Sequence, residues 1–228
     1  MMTFGQTAFA ESVVAVPPKK QTSKPLGKVN TMKYFAFSVF VAILATLGLT
    51  TAVQGQWTVT NLHPSGLSTS EAYGSGGQQV GYVKPSVQRS RAALWSGTAS
   101  SYVDLHPDGA LDSVAWGGGD GQQVGWALIG GGGRASLWTG SASSWVNLNP
   151  AGWASSTAVA ARGGQQVGRG NFNASTFSSA ILWNGTAESF VILDPANAGG
   201  NSRAEGTDGV QQVGSWTQQG SNRPRAAL

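Results

Sequence analysis

The hydropathy pattern changes once along the chain. Residues 34–53, YFAFSVFVAILATLGLTTAV, form one uninterrupted apolar stretch. Beyond residue 56 apolar residues come only in short β-branched or aromatic runs, separated by Gly, Ser, Asn, Asp and Pro. QQVG, AALW, YVDL and SVAWG are one set of such runs. None has the three-and-four spacing of an amphipathic helix over a useful length. The pattern predicts an apolar N-terminal helix followed by an all-β region of short strands.

The β region repeats itself. Gly-Gln-Gln-Val-Gly occurs at 77–81, 121–125 and 164–168, and Val210-Gln211-Gln212-Val213-Gly214 is a fourth copy. The first glutamine falls at 78, 122, 165 and 211, a period near 44 residues. Leu-Trp at 94–95, 137–138 and 182–183 keeps the same phase, with Leu228 in the fourth place. So do an apolar-x-x-Leu-x-Pro segment ending at Pro64, Pro107, Pro150 and Pro195, and a Ser-x-Ala pair at Ser70, Ser113, Ser156 and Ser202. Each unit predicts four strands, the size of a β-propeller blade. Trp-x-Gly at Gly97, Gly140 and Gly185 predicts tight hairpins, and Pro-x-Gly at Gly66, Gly109 and Gly152 predicts turns.

Counted from each Gln-Gln strand, three whole units are flanked by two strands at either end, VTNL and SEAYG before, QQVG and RAAL after. Sixteen strands make about four blades in a β-propeller-like array of four-stranded antiparallel sheets. The end pairs could complete one blade and close a ring. The competing expectation is an incomplete ring, because the sequence stops at Leu228, just before the expected tryptophan. Trp95, Trp138 and Trp183 recur and are expected between blades.

Composition narrows the class. Nine tryptophans oppose disorder, and charged residues, at 11%, fall well below the roughly 25% of an average domain. The absence of cysteine excludes disulfides and thiolate chemistry. The net charge of +4 sits entirely in residues 1–55, with five lysines and one glutamate; residues 56–228 carry nine basic and nine acidic residues. The β region therefore has no electrostatic footprint for nucleic acid. Lys33 precedes the apolar stretch, and small residues end it at Gly55. That is the plan of a signal peptide over 32–55; an uncleaved anchor is the alternative, and only it would bring a membrane partner. Met32 is a candidate start, which leaves 1–31 as a basic disordered extension ahead of a repeat domain over 56–228.

Ala-x-Leu-Trp-x-Gly, apolar-Val-x-Leu, Ser-x-Ala and Gly-Gln-x-Val-Gly, in that order, resemble the HAF-type extracellular repeats of bacterial exported proteins. The resemblance covers about 57–228. In place of the family's His-Ala-Phe before Leu-Trp stand Arg91-Ala92-Ala93, Arg134-Ala135-Ser136 and Ser179-Ala180-Ile181. The resemblance implies an exported, propeller-like repeat protein and carries no catalytic residues.

Residues that break the repeat are the candidates for function. His63, His106, Asn149 and Asp194 share one repeat position before the turn proline. A turn-capping role is expected there, not a metal site. Asp104, Asp108, Asp112 and Asp120 lack the spacing of a calcium loop. No motif nominates catalytic residues, a metal site or a cofactor. After the Gln-Gln-Val-Gly glycine come Tyr82, Trp126, Arg169 and Ser215; after the Ser-x-Ala alanine come Tyr73, Trp116, Val159 and Glu205. Trp153 and Trp216 have no counterparts. Tyr73, Tyr82, Trp116, Trp126, Trp153, Arg169 and Trp216 are the candidate ligand-binding residues, since aromatic faces suit sugars or protein anchors. The expected function is a secreted or cell-surface, non-enzymatic domain that binds a glycan or a protein. The alternatives are a propeller-fold polysaccharide hydrolase using Glu71, Glu188 or Glu205, and a structural surface repeat.

Overall fold

The chain divides into units Met1–Gln56 and Trp57–Leu228. A computed structural model describes residues 58–75, 77–85, 89–173, 175–221 and 223–228, all within the second unit. The expected signal helix, anchor and basic extension lie outside the described residues.

The described residues are all-β. They form four consecutive antiparallel sheets, three of four strands and one of three, each hydrogen-bonded in chain order. The first sheet holds β1 (Thr69–Ser75), β2 (Gln79–Lys84), β3 (Arg91–Trp95) and β4 (Val103–Asp104). The second holds β5 (Asp112–Gly119), β6 (Gln122–Ile129), β7 (Gly132–Trp138) and β8 (Val146–Asn147). The third holds β9 (Trp153–Arg162), β10 (Gln165–Phe172), β11 (Ser179–Trp183) and β12 (Val191–Ile192). The fourth holds β13 (Ala198–Thr207), β14 (Gln212–Gln218) and β15 (Pro224–Ala227). The helical content is three single 3₁₀ turns, at Ala99–Ser101, Ala142–Ser144 and Ala187–Ser189.

The expected phase of the unit is displaced by one strand. The Ser-x-Ala strand opens a sheet and pairs with the Gln-Gln strand that follows it, as β5 pairs with β6. Turn chemistry is the reason. Asp120-Gly121 and Gly163-Gly164 both have positive φ, the geometry of a two-residue hairpin matched to strand twist. SEAYG is thus the first strand of the first sheet rather than half of a closing blade, and VTNL forms no strand among the described residues. The Trp-x-Gly glycines do adopt positive φ, yet each leads into a 3₁₀ turn instead of closing a tight hairpin. The Pro-x-Gly turns form as expected: the Ala110 and Trp153 amides donate to the carbonyls of Pro107 and Pro150 at 3.1 Å.

Each recurring residue has an identifiable role between sheets. Val80, Ala92, Leu94 and Leu105 of the first repeat enclose Ala115 and Trp138 of the second. Val124, Ala135, Leu137 and Leu148 enclose Ala158 and Trp183 in the same manner. Trp95 packs with Leu62, Leu67 and Tyr102. All three tryptophans are fully buried; Trp138 and Trp183 lie between sheets as expected, whereas Trp95 is covered by the segment before the first sheet and by Tyr102. At the third interface Val167, Ala180 and Leu182 meet Ala204, and among the described residues this cluster holds no equivalent of Trp138 or Trp183. A cavity of about 150 Å³ lies there, lined by Leu193, Trp216 and Leu228 among others.

The two glutamines join sheet to sheet. The second glutamine of each repeat donates to the first glutamine of the repeat before it: Gln123 to Gln78 at 3.1 Å, Gln166 to Gln122 at 2.9 Å, Gln212 to Gln165 at 2.9 Å. The same side chain accepts the glycine amide of the Trp-x-Gly turn, Gly140 to Gln123 at 2.7 Å and Gly185 to Gln166 at 2.8 Å. Gln123 and Gln166 are fully buried, so these bonds satisfy groups that water does not reach. The glycine ending the motif is required by close approach: a Cβ on Gly125 would stand 1.9 Å from the Val114 carbonyl oxygen.

The serine of Ser-x-Ala completes the join. Ser113, Ser156 and Ser202 are buried, and their Oγ atoms accept the Ala92, Ala135 and Ala180 amides of the preceding sheet at 2.9–3.0 Å. Each hydroxyl donates onward to the variable polar residue before the turn proline. Ser113 reaches His106 Nδ1 at 2.7 Å, Ser156 reaches Asn149 Oδ1 at 2.6 Å, and Ser202 reaches Asp194. His106 Nε2 donates to the Ala110 carbonyl at 3.1 Å, and Asn149 Nδ2 to the Trp153 carbonyl at 3.0 Å. His63 makes the corresponding contacts with Ser70 and Leu67. The turn-capping expectation holds for His63, His106 and Asn149; Asp194 instead accepts the Ala180 amide of the neighbouring strand at 3.0 Å.

Candidate functional site

The first strand of each sheet carries a β-bulge just after the Ser-x-Ala alanine. Pairing skips one residue between Ala72 and Gly74, Ala115 and Gly117, Ala158 and Ala160, and Ala204 and Gly206. The extra residues are Tyr73, Trp116, Val159 and Glu205. A bulged residue is released from the ladder and its side chain re-aimed, so the scaffold leaves this position free to vary. The neighbouring variable position lies on the second strand, where Tyr82, Trp126, Arg169 and Ser215 stand opposite Glu71, Val114, Thr157 and Arg203.

The structure brings these positions together across the sheets. The Tyr73 ring lies 4.8 Å from that of Trp116 and 6.0 Å from that of Tyr82, centroid to centroid. Trp116 and Trp126 of the second sheet, Thr157 and Arg169 of the third, and Arg203 and Glu205 of the fourth line one cleft of about 300 Å³. Arg203 pairs with Glu205 at 2.7 Å and its Nε donates to Ser215 at 3.2 Å.

At the Tyr73 end of the row Glu71 accepts two phenol hydrogen bonds, from Tyr82 at 2.6 Å and Tyr73 at 2.7 Å. The Tyr82 bond, then the Tyr73 bond, holds its carboxyl below the usual carboxylate range. The phenols shift the other way. Tyr73 is raised by burial and by Glu71, Tyr82 chiefly by its bond to Glu71. Lys84 Nζ sits 5.5 Å from the Tyr82 ring centroid, a cation–π contact that adds a positive charge beside the carboxylate.

Of the seven residues singled out in the sequence, Tyr73, Tyr82, Trp116, Trp126 and Arg169 fall in this row. Trp153 does not reach the surface: it is 5% exposed and packs edge-on against Phe172 and Phe190 at 5.9 and 5.7 Å. Its lack of a counterpart reflects exchange within the core, since a Cβ on Gly170 would come 2.9 Å from Trp153 Cε3. A large residue on one strand is matched by a missing side chain on the next. Trp216 is half-buried and lines the cavity between the third and fourth sheets rather than the cleft.

Sequence reasoning passed over Thr157 and Arg203, and named Glu71 only as a hydrolase carboxylate. The signal was present, because the residue before each Ser-x-Ala alanine, Glu71, Val114, Thr157 and Arg203, varies as freely as the positions that were chosen. Glu188 lies in the 3₁₀ turn between β11 and β12, whereas Glu71 and Glu205 lie on the opening strands of the first and fourth sheets. Among the described residues no three His, Asp or Glu side chains are grouped to hold a metal ion. No known protein family, curated protein or solved structure shows significant similarity to the chain.

Proposed function

We propose that residues 56–228 form an exported, propeller-like glycan-binding domain of the HAF-repeat type, in which the scaffold repeats and the opening strands carry the ligand site. The observation that carries this reading is the shared cleft. Packed sheets lie about 10 Å apart, so in a parallel stack the second and fourth sheets would be separated by a whole sheet. Trp116, Trp126 and Glu205 line one hollow all the same. This favours sheets fanned about a common axis, with β1, β5, β9 and β13 innermost. Sites on such folds gather where the innermost strands of successive sheets meet.

Two tryptophans on one wall and polar, charged groups on the other are the chemistry of sugar recognition. A pyranose presents an apolar face for an indole and a rim of hydroxyls for hydrogen bonds. A general-acid role is disfavoured for Glu71 and Glu205. Glu71 is held in its ionised form by two phenols, the reverse of the raised pKa a general acid needs, and Glu205 is occupied by Arg203. The basic and apolar N-terminus would deliver the domain outside the cell.

Tryptophan fluorescence of the full chain, titrated with a panel of extracellular and cell-wall oligosaccharides, tests the reading. The expected result is saturable quenching by at least one glycan, lost in Trp126→Ala. Turnover of a glycan, or binding that survives Trp116→Ala and Trp126→Ala together, would contradict it.

A further inference from the structure

Arg169 and Arg203 line two adjoining hollows. One is the tryptophan cleft; the other, of about 450 Å³, is lined by Asn171, Asn201, Ser215 and Thr217 together with the same two arginines. The arginines thus stand at the boundary between an aromatic compartment and an amide- and hydroxyl-lined one.

We propose that this arginine pair makes the site selective for acidic sugars, a uronate carboxylate sitting at the boundary with flanking sugars on either side. The proposal rests on the glycan reading above. Charge argues for it. Two guanidinium groups face one carboxylate, Glu205, which is committed to Arg203. Arg169 is exposed and has no ion pair among the described residues. The boundary therefore carries an excess positive charge in a β region whose basic and acidic residues are equal in number.

The repeat argues for it as well. Arg169 occupies the position of Tyr82, Trp126 and Ser215, and Arg203 that of Glu71, Val114 and Thr157. The scaffold accepts almost any side chain at both places, so packing does not call for arginine. A guanidinium offers a planar donor fork that fits a carboxylate with two parallel bonds. On either side the tryptophans would stack a sugar face, and Asn171, Asn201 and Thr217 would meet hydroxyls.

Calorimetric titration of the full chain with trigalacturonate and with its methyl ester, at low and high ionic strength, tests the idea. The two probes share a shape and differ in charge. The expected outcome is that the acid binds about tenfold more tightly than the ester and weakens with salt. Arg169→Gln should remove that preference, bringing acid and ester to the same affinity, while leaving the melting temperature unchanged. Arg169→Lys should recover part of it, since charge returns without the fork. Equal binding of acid and ester, unaffected by Arg169→Gln but lost in Trp126→Ala, would overturn the acidic selectivity and leave the glycan site standing. Failure of both probes to bind would overturn the selectivity, and the broader panel would then decide the glycan site.

Discussion

Replacing Gln166 by leucine removes three hydrogen bonds with little change in volume. Gln166 Nε2 donates to Gln122 Oε1 at 2.9 Å and to the Gly164 carbonyl at 2.8 Å, and Oε1 accepts the Gly185 amide at 2.8 Å. One of these ties the third sheet to the second, and the others fix the hairpin and the turn that lie side by side at one end of its strands. Each bond is worth about 1 kcal/mol net, and a buried partner left unsatisfied costs about 1–3 kcal/mol. Gly185 is only half-buried, so water recovers part of its loss. The expected destabilisation is therefore about 3 kcal/mol, a large share of the ~5–15 kcal/mol that holds a typical domain together. Urea unfolding of the full chain, followed by tryptophan fluorescence, reads it as a lowered midpoint at constant slope. Gln219→Leu, at an exposed site, is the control and should change little. Combining Gln166→Leu with Gln122→Leu isolates the inter-sheet bond, with an expected coupling of about 1 kcal/mol. A Gln166→Leu cost below about 0.5 kcal/mol, within the ordinary range for surface changes, would refute the view that the glutamines join the sheets.

Gly125→Ala should destabilise by about 3 kcal/mol or more, because its Cβ would meet the Val114 carbonyl oxygen at 1.9 Å. Gly133→Ala, whose nearest neighbour would be a Trp126 ring carbon at 3.8 Å, should be nearly neutral; thermal unfolding compares the two. Trp138→Ala should cost about 3–5 kcal/mol as a cavity at a sheet interface. Trp138→Phe should cost much less, since the buried indole N–H makes no hydrogen bond among the described residues. Burial, then Arg91, lowers the pKa of His106, and its Nδ1 accepts from Ser113 only when neutral. A lowered folded-state pKa gives stability that is complete above the unfolded value of about 6.5 and is lost as pH falls through the folded one. His106→Asn, which copies Asn149, should keep the fold and reduce that pH dependence in urea titrations; an unchanged slope would refute the assignment.

The repeat, the strand content and the buried tryptophans are legible in the sequence because each depends on local hydropathy and turn chemistry. The phase of the unit is legible too, once Asp120-Gly121 and Gly163-Gly164 are seen as the tightest hairpins. The reason for Gln-Gln is not. Gln123 meets Gln78 only because two sheets pack face to face, and spacing alone does not reveal a partner 45 residues away. The same holds at the site. Tyr73 and Trp116 could be chosen as repeat-breakers, but their ring contact, and the convergence of Trp126 with Arg203 and Glu205, arise from bulges and from sheets meeting along their opening strands. Trp153 shows the limit of the repeat-breaking argument: a residue without a counterpart can be answered inside the core, as Gly170 answers this one.

Nine tryptophans report on every part of the proposed architecture at once. Indole Nε1 resonances of the full chain, assigned by substitution and followed by NMR during titration with a glycan selected from the panel, test the central claim directly. Trp116 and Trp126 should move together and saturate with one affinity, while the buried Trp95, Trp138 and Trp183 stay in place. Shifts centred on Trp216, or none at Trp116 and Trp126 during saturable binding, would contradict the claim that the opening strands carry the site.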